Sequence, residues 1–278
     1  MTSSLESRVA THYSNPDLLK KIIVGLERAG VDPEAPTIED LAPVDEFHTA
    51  GRLTTLEALD MIPIESDMQV LDAGSGIGGT ARCLAKEKGC RVTGIDLTPD
   101  YVQVARMLSE RVGLADSVSF HEGSVLDMPF QDRSFDAAVS FHVAMNIEDR
   151  EGFYRELGRV LKPGAPLCLF DVMKGSMPGM HYPVPWAEVE ANSFLKTPDE
   201  TASLLEDAGF EITERRSLRD FAIAFFREVF AKAAKADGPP PLGLHLLTGA
   251  NTPDKFQNYA KGLDERMIDP VIMVATRR

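Results

Sequence analysis

Apolar residues recur at helical spacing near the start of the chain, where Leu18, Leu19, Ile22, Ile23 and Leu26 form one stripe. Residues 1–60 are therefore expected to be largely helical. Pro33 and Pro36 interrupt the pattern between Gly30 and Pro43, so that stretch reads as a loop, and a further helix is expected through Leu53, Leu56 and Leu59. From residue 69 the pattern changes. Short apolar runs at 69–72, 91–96, 118–122, 135–141 and 166–172 read as strands. Amphipathic segments at 80–88, 99–112 and 150–161 read as the helices between them, with Thr98 placed to cap the second. Strands alternating with helices in this way predict an α/β fold, a mainly parallel sheet covered on both faces.

After residue 173 the alternation breaks. Residues 174–194 are rich in Pro, Gly and Met and hold the single tryptophan, Trp186. Thr197-Pro198-Asp199-Glu200 then has the form of an N-cap, an N1 proline and an acidic first turn, for a helix that ends at Gly209. A strand at 210–215 follows. Phe221, Phe225, Phe226, Val229 and Phe230 predict an apolar helix whose ring cluster reads as plain helix core. Pro239-Pro240-Pro241 reads as a linker, 252–263 as a last helix and 270–276 as a last strand, so that 217–266 is a helical excursion between two strands.

Composition narrows the class of function. The 278 residues suffice for one sizeable domain, and 44% hydrophobic with 26% charged residues is ordinary for a globular chain. The net charge of −14 repels phosphate backbones, which speaks against nucleic-acid binding. No apolar run approaches the roughly 20 residues that cross a bilayer. The N-terminus lacks the apolar stretch of a secretory signal, so a cytoplasmic protein is expected. Three cysteines without a C-x-x-C spacing predict buried free thiols, and the six scattered histidines predict no metal site.

The first predicted strand runs into Asp72-Ala73-Gly74-Ser75-Gly76-Ile77-Gly78-Gly79. Glycines at the end of a strand let the backbone approach a ligand, and the helix that follows offers free N–H groups. Gly74, Gly76 and Gly79 also satisfy G-x-G-x-x-G, the dinucleotide fingerprint. Asp72, two residues before the first glycine, would repel a pyrophosphate but could help to hold an α-ammonium group. Asp96 ends the next strand 24 residues after Asp72, where an acid can take both hydroxyls of a ribose. Asp96 thus points to a nucleoside without choosing between the two ligands, and Asp72 favours one joined to an amino acid.

The segment from about 45 to 175 resembles the class I S-adenosylmethionine-dependent methyltransferases, in particular the small-molecule group of ubiquinone/menaquinone C-methyltransferases, sugar O-methyltransferases and sarcosine/dimethylglycine N-methyltransferases. The resemblance is carried by Asp72-x-Gly74-x-Gly76-x-Gly78, Gly94-Ile95-Asp96-Leu97-Thr98, Gly123-Ser124-Val125-Leu126-Asp127-Met128-Pro129-Phe130, Ser134-Phe135-Asp136 and Arg159-Val160-Leu161-Lys162-Pro163-Gly164. It implies a Rossmann-like, seven-stranded, mostly parallel sheet with an antiparallel last strand. Residues 1–60 would form a helical cap on a methyltransferase domain at 61–278, with substrate lids at about 174–196 and 217–266. It further implies that Gly74 and Gly76, with Asp72, Ser75 and Gly78 in the same turn, hold the methionine part of S-adenosylmethionine. Asp96 with Leu97 would hold the ribose, and Ser124 and Val125 would face the adenine. His48, Gly51 and Arg52 stand where relatives place a turn that closes over the cofactor, although Arg52 departs from the usual glycine.

For the reaction itself, an in-line displacement needs alignment above all, and a base when the acceptor is a hydroxyl or an acidic carbon. His142 and Asn146, in the loop after the fourth strand, are candidates for a general base and for an orienting group. In some O-methylating relatives a histidine pair occupies the places of Met145 and Asn146, and its absence leans toward a nitrogen acceptor. Asp171 could steer an amine, while Tyr13, Tyr182 and Trp186 could exclude water or cage a cation. The acceptor is expected to be a small molecule and the protein a monomer or homodimer. The competing class, an NAD(P)-dependent oxidoreductase, requires a Tyr-x-x-x-Lys pair that neither Tyr154 nor Tyr182 supplies. A third class, a cofactor-binding protein without turnover, is open from sequence.

Overall fold

The computed structural model describes residues 4–236 and 238–278. Four helices come first: α1 (Ser4–Tyr13), α2 (Leu18–Arg28), α3 (Ile38–Asp45) and α4 (Arg52–Asp60). The alternating part follows as β1 (Gln69–Ala73), α5 (Gly79–Lys88), β2 (Arg91–Asp96), α6 (Pro99–Arg111), β3 (Val118–Glu122), β4 (Ala137–Phe141), α7 (Arg150–Val160) and β5 (Pro166–Lys174). The last third contains α8 (Pro198–Asp207), β6 (Phe210–Ser217), α9 (Arg219–Ala233), α10 (His245–Thr248), α11 (Thr252–Asp264) and β7 (Ile268–Arg277). No helix among the described residues is long and apolar enough to cross a membrane.

The strands form one sheet in the order β3-β2-β1-β4-β5-β7-β6. The β3–β2, β2–β1, β1–β4 and β4–β5 ladders are parallel, and β7 runs antiparallel to both β5 and β6. Both faces are covered, which is why the inner strands read as unbroken apolar runs. Along β5, Cys168 and Phe170 enter one core with Val70, Val92 and Val139, while Leu167 and Leu169 enter the other with Leu71, Ile95 and Ala138. The chain leaves β1 for β2 on one side and meets β4 on the other. That reversal opens a crevice at the C-terminal ends of β1 and β4, the usual ligand position in such sheets.

Three expectations change. The stretch 30–43 is not loop throughout. Thr37 caps α3 with a full capping box, its hydroxyl accepting from Asp40 N at 3.1 Å while the Asp40 carboxylate accepts from Thr37 N at 2.8 Å. Pro43 lies near the end of that helix, where its missing N–H removes a single bond. In α4 the leucines mislead: Leu53 and Leu56 are 62% and 37% exposed, and the buried face is Thr54, Thr55, Ala58 and Leu59. The aromatic cluster of α9 is not plain core either, since that helix buries only Ala222 and Phe226. Elsewhere the boundaries agree closely, except that β4 begins at Ala137, with Phe135 making only an isolated bridge to Leu161, and that α10 was not anticipated.

The N-terminal helices are locked to the sheet through Arg82 on α5, which is fully buried. Its guanidinium donates to both carboxylate oxygens of Asp45 at 2.6 and 3.3 Å, to Ile77 O at 2.8 Å, and to Ala105 O and Ser109 Oγ on α6. Arg82→Ala would leave the Asp45 carboxylate buried without its cation. The expected cost is about 3–5 kcal/mol, read as a lower midpoint in urea unfolding. A loss under about 1 kcal/mol would show that the pair only breaks even.

Candidate functional site

The turn after β1 passes through the left-handed region at Gly74 (φ +85°) and Gly76 (φ +53°). A Cβ on Gly74 would collide with the Val143 side chain, so the loops that follow β1 and β4 meet there with no room to spare. The N–H groups of Gly74 and Ser75 donate to Ile95 O at 2.8 and 3.0 Å. The Gly76 N–H donates to Asp96 Oδ2 at 2.8 Å, and Thr98 N donates to Asp96 Oδ1 at 2.8 Å. Thr98 thus stands at the cap position, but it is Asp96 that takes the helix-side N–H. Asp96 is held in one orientation at the cleft wall, where burial raises its pKa against the pull of these donors.

Gly74, Ser75, Gly76, Asp96, Leu97, Ser124, Val125, Gly51, His142, Asn146, Tyr13 and Trp186 all line one cleft of about 2580 Å³. Four expected residues do not. Gly78 starts α5 at φ +87°, and a Cβ there would strike Phe120 and Arg82, so its role is packing. Asp72 is 1% exposed behind the turn, and its Oδ2 has no hydrogen-bond partner. Burial, and then the charges of Asp96 and Glu46, push Asp72 up to about 7. Tyr182 lies outside the wall, so it does not pair with Trp186 there; Trp186 meets Tyr259 edge to face at 5.9 Å between ring centroids and donates to Ser193 Oγ at 2.9 Å.

Asp171 is the fourth. It is 1% exposed beneath the loop after β4, and its Oδ1 accepts from Val143 N at 2.9 Å and Ala144 N at 3.1 Å. Burial pushes it up to about 6, with Arg150 and the two N–H donors pulling the other way. It does not face the cleft and cannot steer an amine. Instead it pins a turn in which His142 adopts φ +56°. That conformation costs a β-substituted residue free energy and is held only by its surroundings.

The strained turn presents His142 to the cleft. Burial, and then nearby His48, hold its pKa well below 6.5, so the ring is neutral at neutral pH. Its Nε2 stands 3.5 Å from both the backbone N and the Oγ1 of Thr49, contacts too long to engage the lone pair strongly. Thr49 Oγ1 in turn lies 2.5 Å from Tyr259 OH. Asn146 is fully engaged: its Oδ1 accepts from Tyr13 OH at 2.9 Å and its Nδ2 donates to Trp186 O at 2.9 Å. It clamps α1 to the segment after β5. Burial, and then Asp96, raise the pKa of Tyr13. Ser124 Oγ donates to the Glu6 carboxylate, so α1 also reaches across to the loop after β3.

Sequence reasoning missed Glu46, Thr49, Tyr259 and the face of α9. Glu46 is 1% exposed and accepts from Arg52 Nε at 2.6 Å, Thr55 Oγ1 at 2.7 Å and His48 Nε2 at 3.0 Å. Burial pushes its pKa up, but His48, Arg52 and Thr55 bring it down to about 2. This ion pair accounts for Arg52 in place of a glycine: the guanidinium closes on Glu46. The spacing Glu46-x-His48-x-x-x-Arg52 was the available signal. Thr49 and Tyr259 are 210 positions apart and gave none.

These residues fit an amino acid joined to a nucleoside. A Cβ on Gly76 would meet nothing within 4 Å, the buried Ser75 Oγ has no partner, Asp96 lines the cleft at the end of the next strand, and an orphaned carboxylate oxygen of Asp72 lies behind the turn. Among the described residues no group of three or more His, Cys, Asp or Glu could hold a metal ion. Fold and site together define an α/β enzyme of the nucleoside-binding kind, with a neutral histidine beside the ligand.

A family model described as a methyltransferase domain matches residues 71–169. The chain is 29% identical over 222 residues to "Methyltransferase GfsG" of Streptomyces halstedii, covering 77% of this chain and 76% of that protein. It is 35% identical over 163 residues to the erythromycin 3''-O-methyltransferase of Saccharopolyspora erythraea, covering 55% of this chain and 53% of that one, so the match spans about half of the relative's length. The fold superimposes on the geranyl diphosphate C-methyltransferase of Streptomyces coelicolor A3(2) with a TM-score of 0.72 at 15% identity, covering 100% of this chain and 99% of the other. Residues 71–169 form a methyltransferase domain, and the chain transfers methyl groups from S-adenosylmethionine to small-molecule acceptors. The oxidoreductase and non-catalytic readings of the same turn are set aside by that match.

Proposed function

We propose that the acceptor atom is a hydroxyl oxygen and that His142 is the general base. The observation that carries this reading is a half-buried, neutral imidazole in a left-handed backbone conformation, with an Nε2 lone pair that Thr49 only loosely holds. S-adenosylmethionine supplies an electrophilic methyl group on a sulfonium, and methyl transfer releases a neutral thioether. The residues of this chain do the rest. Gly74, Ser75 and Gly76 cradle the amino-acid end, with Asp72 reaching it only through the turn. Asp96 takes the ribose hydroxyls, Leu97, Ser124 and Val125 flank the adenine, and Gly51 closes the near side. His142 Nε2 accepts the hydroxyl proton as the carbon–oxygen bond forms.

A nitrogen acceptor, toward which the missing histidine pair at 145 and 146 leans, is served less well. A cationic amine needs a carboxylate or an aromatic cage. Asp171 Oδ1 is committed to backbone N–H groups and Glu46 to Arg52, His48 and Thr55, while Trp186 meets Tyr259 edge to face rather than as a facing wall. We assign residues 1–60 as a cap on the domain at 61–278, with walls at about 174–196 and 217–266, because α1 and the α9–α11 region line the cleft. Three buried, unpaired cysteines suit a reducing cytoplasm. The test is transfer of labelled methyl from S-adenosylmethionine over matched alcohols, phenols and amines, with the product located by NMR. Ether products are expected, and products methylated only on nitrogen would overturn the assignment.

A further inference from the structure

We infer that the acceptor is an uncharged molecule with a large apolar body, seated against α9. The inference rests on the assignment of this cleft as the acceptor site. A drug-sized ligand fills a pocket of roughly 300–1,000 Å³, and the cleft holds about 2580 Å³. Space is left for an acceptor far bulkier than an amino acid or a simple phenol. Phe225, Phe226, Val229 and Phe230 fall on one side of α9 and line the cleft. Val229 and Phe230 are nevertheless 38% and 36% exposed, although the same helix has a polar face available for solvent. Contiguous exposed apolar surface inside a cleft marks a binding surface.

Charge decides what kind of apolar molecule it is. Lys255 is 3% exposed and spent on Glu188 at 2.7 Å and Thr248 O at 3.0 Å. Arg52 is spent on Glu46. Burial holds His12 and His245 below the usual imidazole range, so both are neutral at neutral pH. The other wall cations among the described residues, Lys21 and Lys232, are exposed to water. A phosphate or carboxylate on the acceptor would meet no buried free cation and would face an acidic wall that includes Glu46 and Asp96.

The test uses the full chain saturated with S-adenosylhomocysteine and the neutral fluorophore N-phenyl-1-naphthylamine. The probe is expected to bind, and dodecanol is expected to displace it at least about tenfold more effectively than dodecyl phosphate, the cost of carrying a charge into the cleft. The F225A/F230A double variant is expected to bind the probe about tenfold more weakly, since two rings leave the wall. Its affinity for S-adenosylhomocysteine by calorimetry should be unchanged, which shows that it has folded. Equal displacement by the phosphate, or unaltered probe binding in the double variant, overturns the inference. The hydroxyl assignment fails separately: methyl transfer to bulky apolar amines and not to the matching alcohols would sink it and leave the apolar seat standing. Equal kcat/KM for small polar alcohols would do the reverse.

Discussion

Replacing His142 with asparagine is expected to lower kcat by roughly 10²–10⁴-fold, the usual worth of a general base. Asparagine is the informative choice because it tolerates the positive φ at this position better than alanine. The turn pinned by Asp171 should survive, and the loss can then be assigned to the ring. Single-turnover rates with saturating S-adenosylmethionine provide the measurement, and a loss under about threefold would remove His142 from the chemistry. The pH profile gives a second reading. The histidine's pKa lies well below 6.5 because burial, and then His48, disfavour its charged form. The base is therefore unprotonated at neutral pH and stays so as the pH falls through 6.5, and kcat/KM should stay level there. An amine acceptor would instead give a rate that climbs with pH as the substrate loses its proton. Stability carries the same shift with a definite sign. Below about 6.5 the unfolded chain takes up a proton that the folded histidine refuses, so this group destabilises the fold increasingly in acid until the depressed pKa is reached.

Asp96→Ala is expected to weaken S-adenosylhomocysteine binding about a hundredfold or more. Hydrogen bonds to a charged group contribute about 1.5–3 kcal/mol each, and a ribose offers two hydroxyls. The carboxylate also receives the Gly76 and Thr98 N–H groups at 2.8 Å each, so the alanine variant loosens the glycine turn as well. Asp96→Asn separates the two contributions. It keeps the shape, but presents an amide NH₂ to one of those two donors. Calorimetry reads the affinity and thermal unfolding shows whether the fold is kept. A variant that binds as tightly as the parent would mean that the ribose lies elsewhere.

The sheet was legible because each inner strand is buried on both faces. An unbroken run such as Val70-Leu71 or Leu167–Phe170 has few other structures open to it, and the turns between runs carried glycine and proline. The cofactor turn was legible for a related reason: Gly74 and Gly76 sit at positive φ, which few other residues tolerate. What failed was inference from a residue type without its surroundings. Leu53 and Leu56 point to solvent because Thr54 and Thr55 take the buried face beside them, Thr55 donating to Glu46. The rings of α9 satisfy helical periodicity equally well facing a core or a cleft, and periodicity does not tell these apart. Asp171 near the end of β5 and Asp96 at the end of β2 look alike in sequence, yet one supports a loop from behind and the other faces the cleft. Only the path of the neighbouring chain decides between them. Contacts such as Thr49 with Tyr259 leave no local trace at all.

The first helix is tied at its start to Ser124, after β3, and at its end to Asn146, after β4, through Glu6 and Tyr13. A single rod of ten residues therefore latches both halves of the reaction chamber. Moving α1 away from the cleft would take the release of both contacts, one of them on the loop that carries His142.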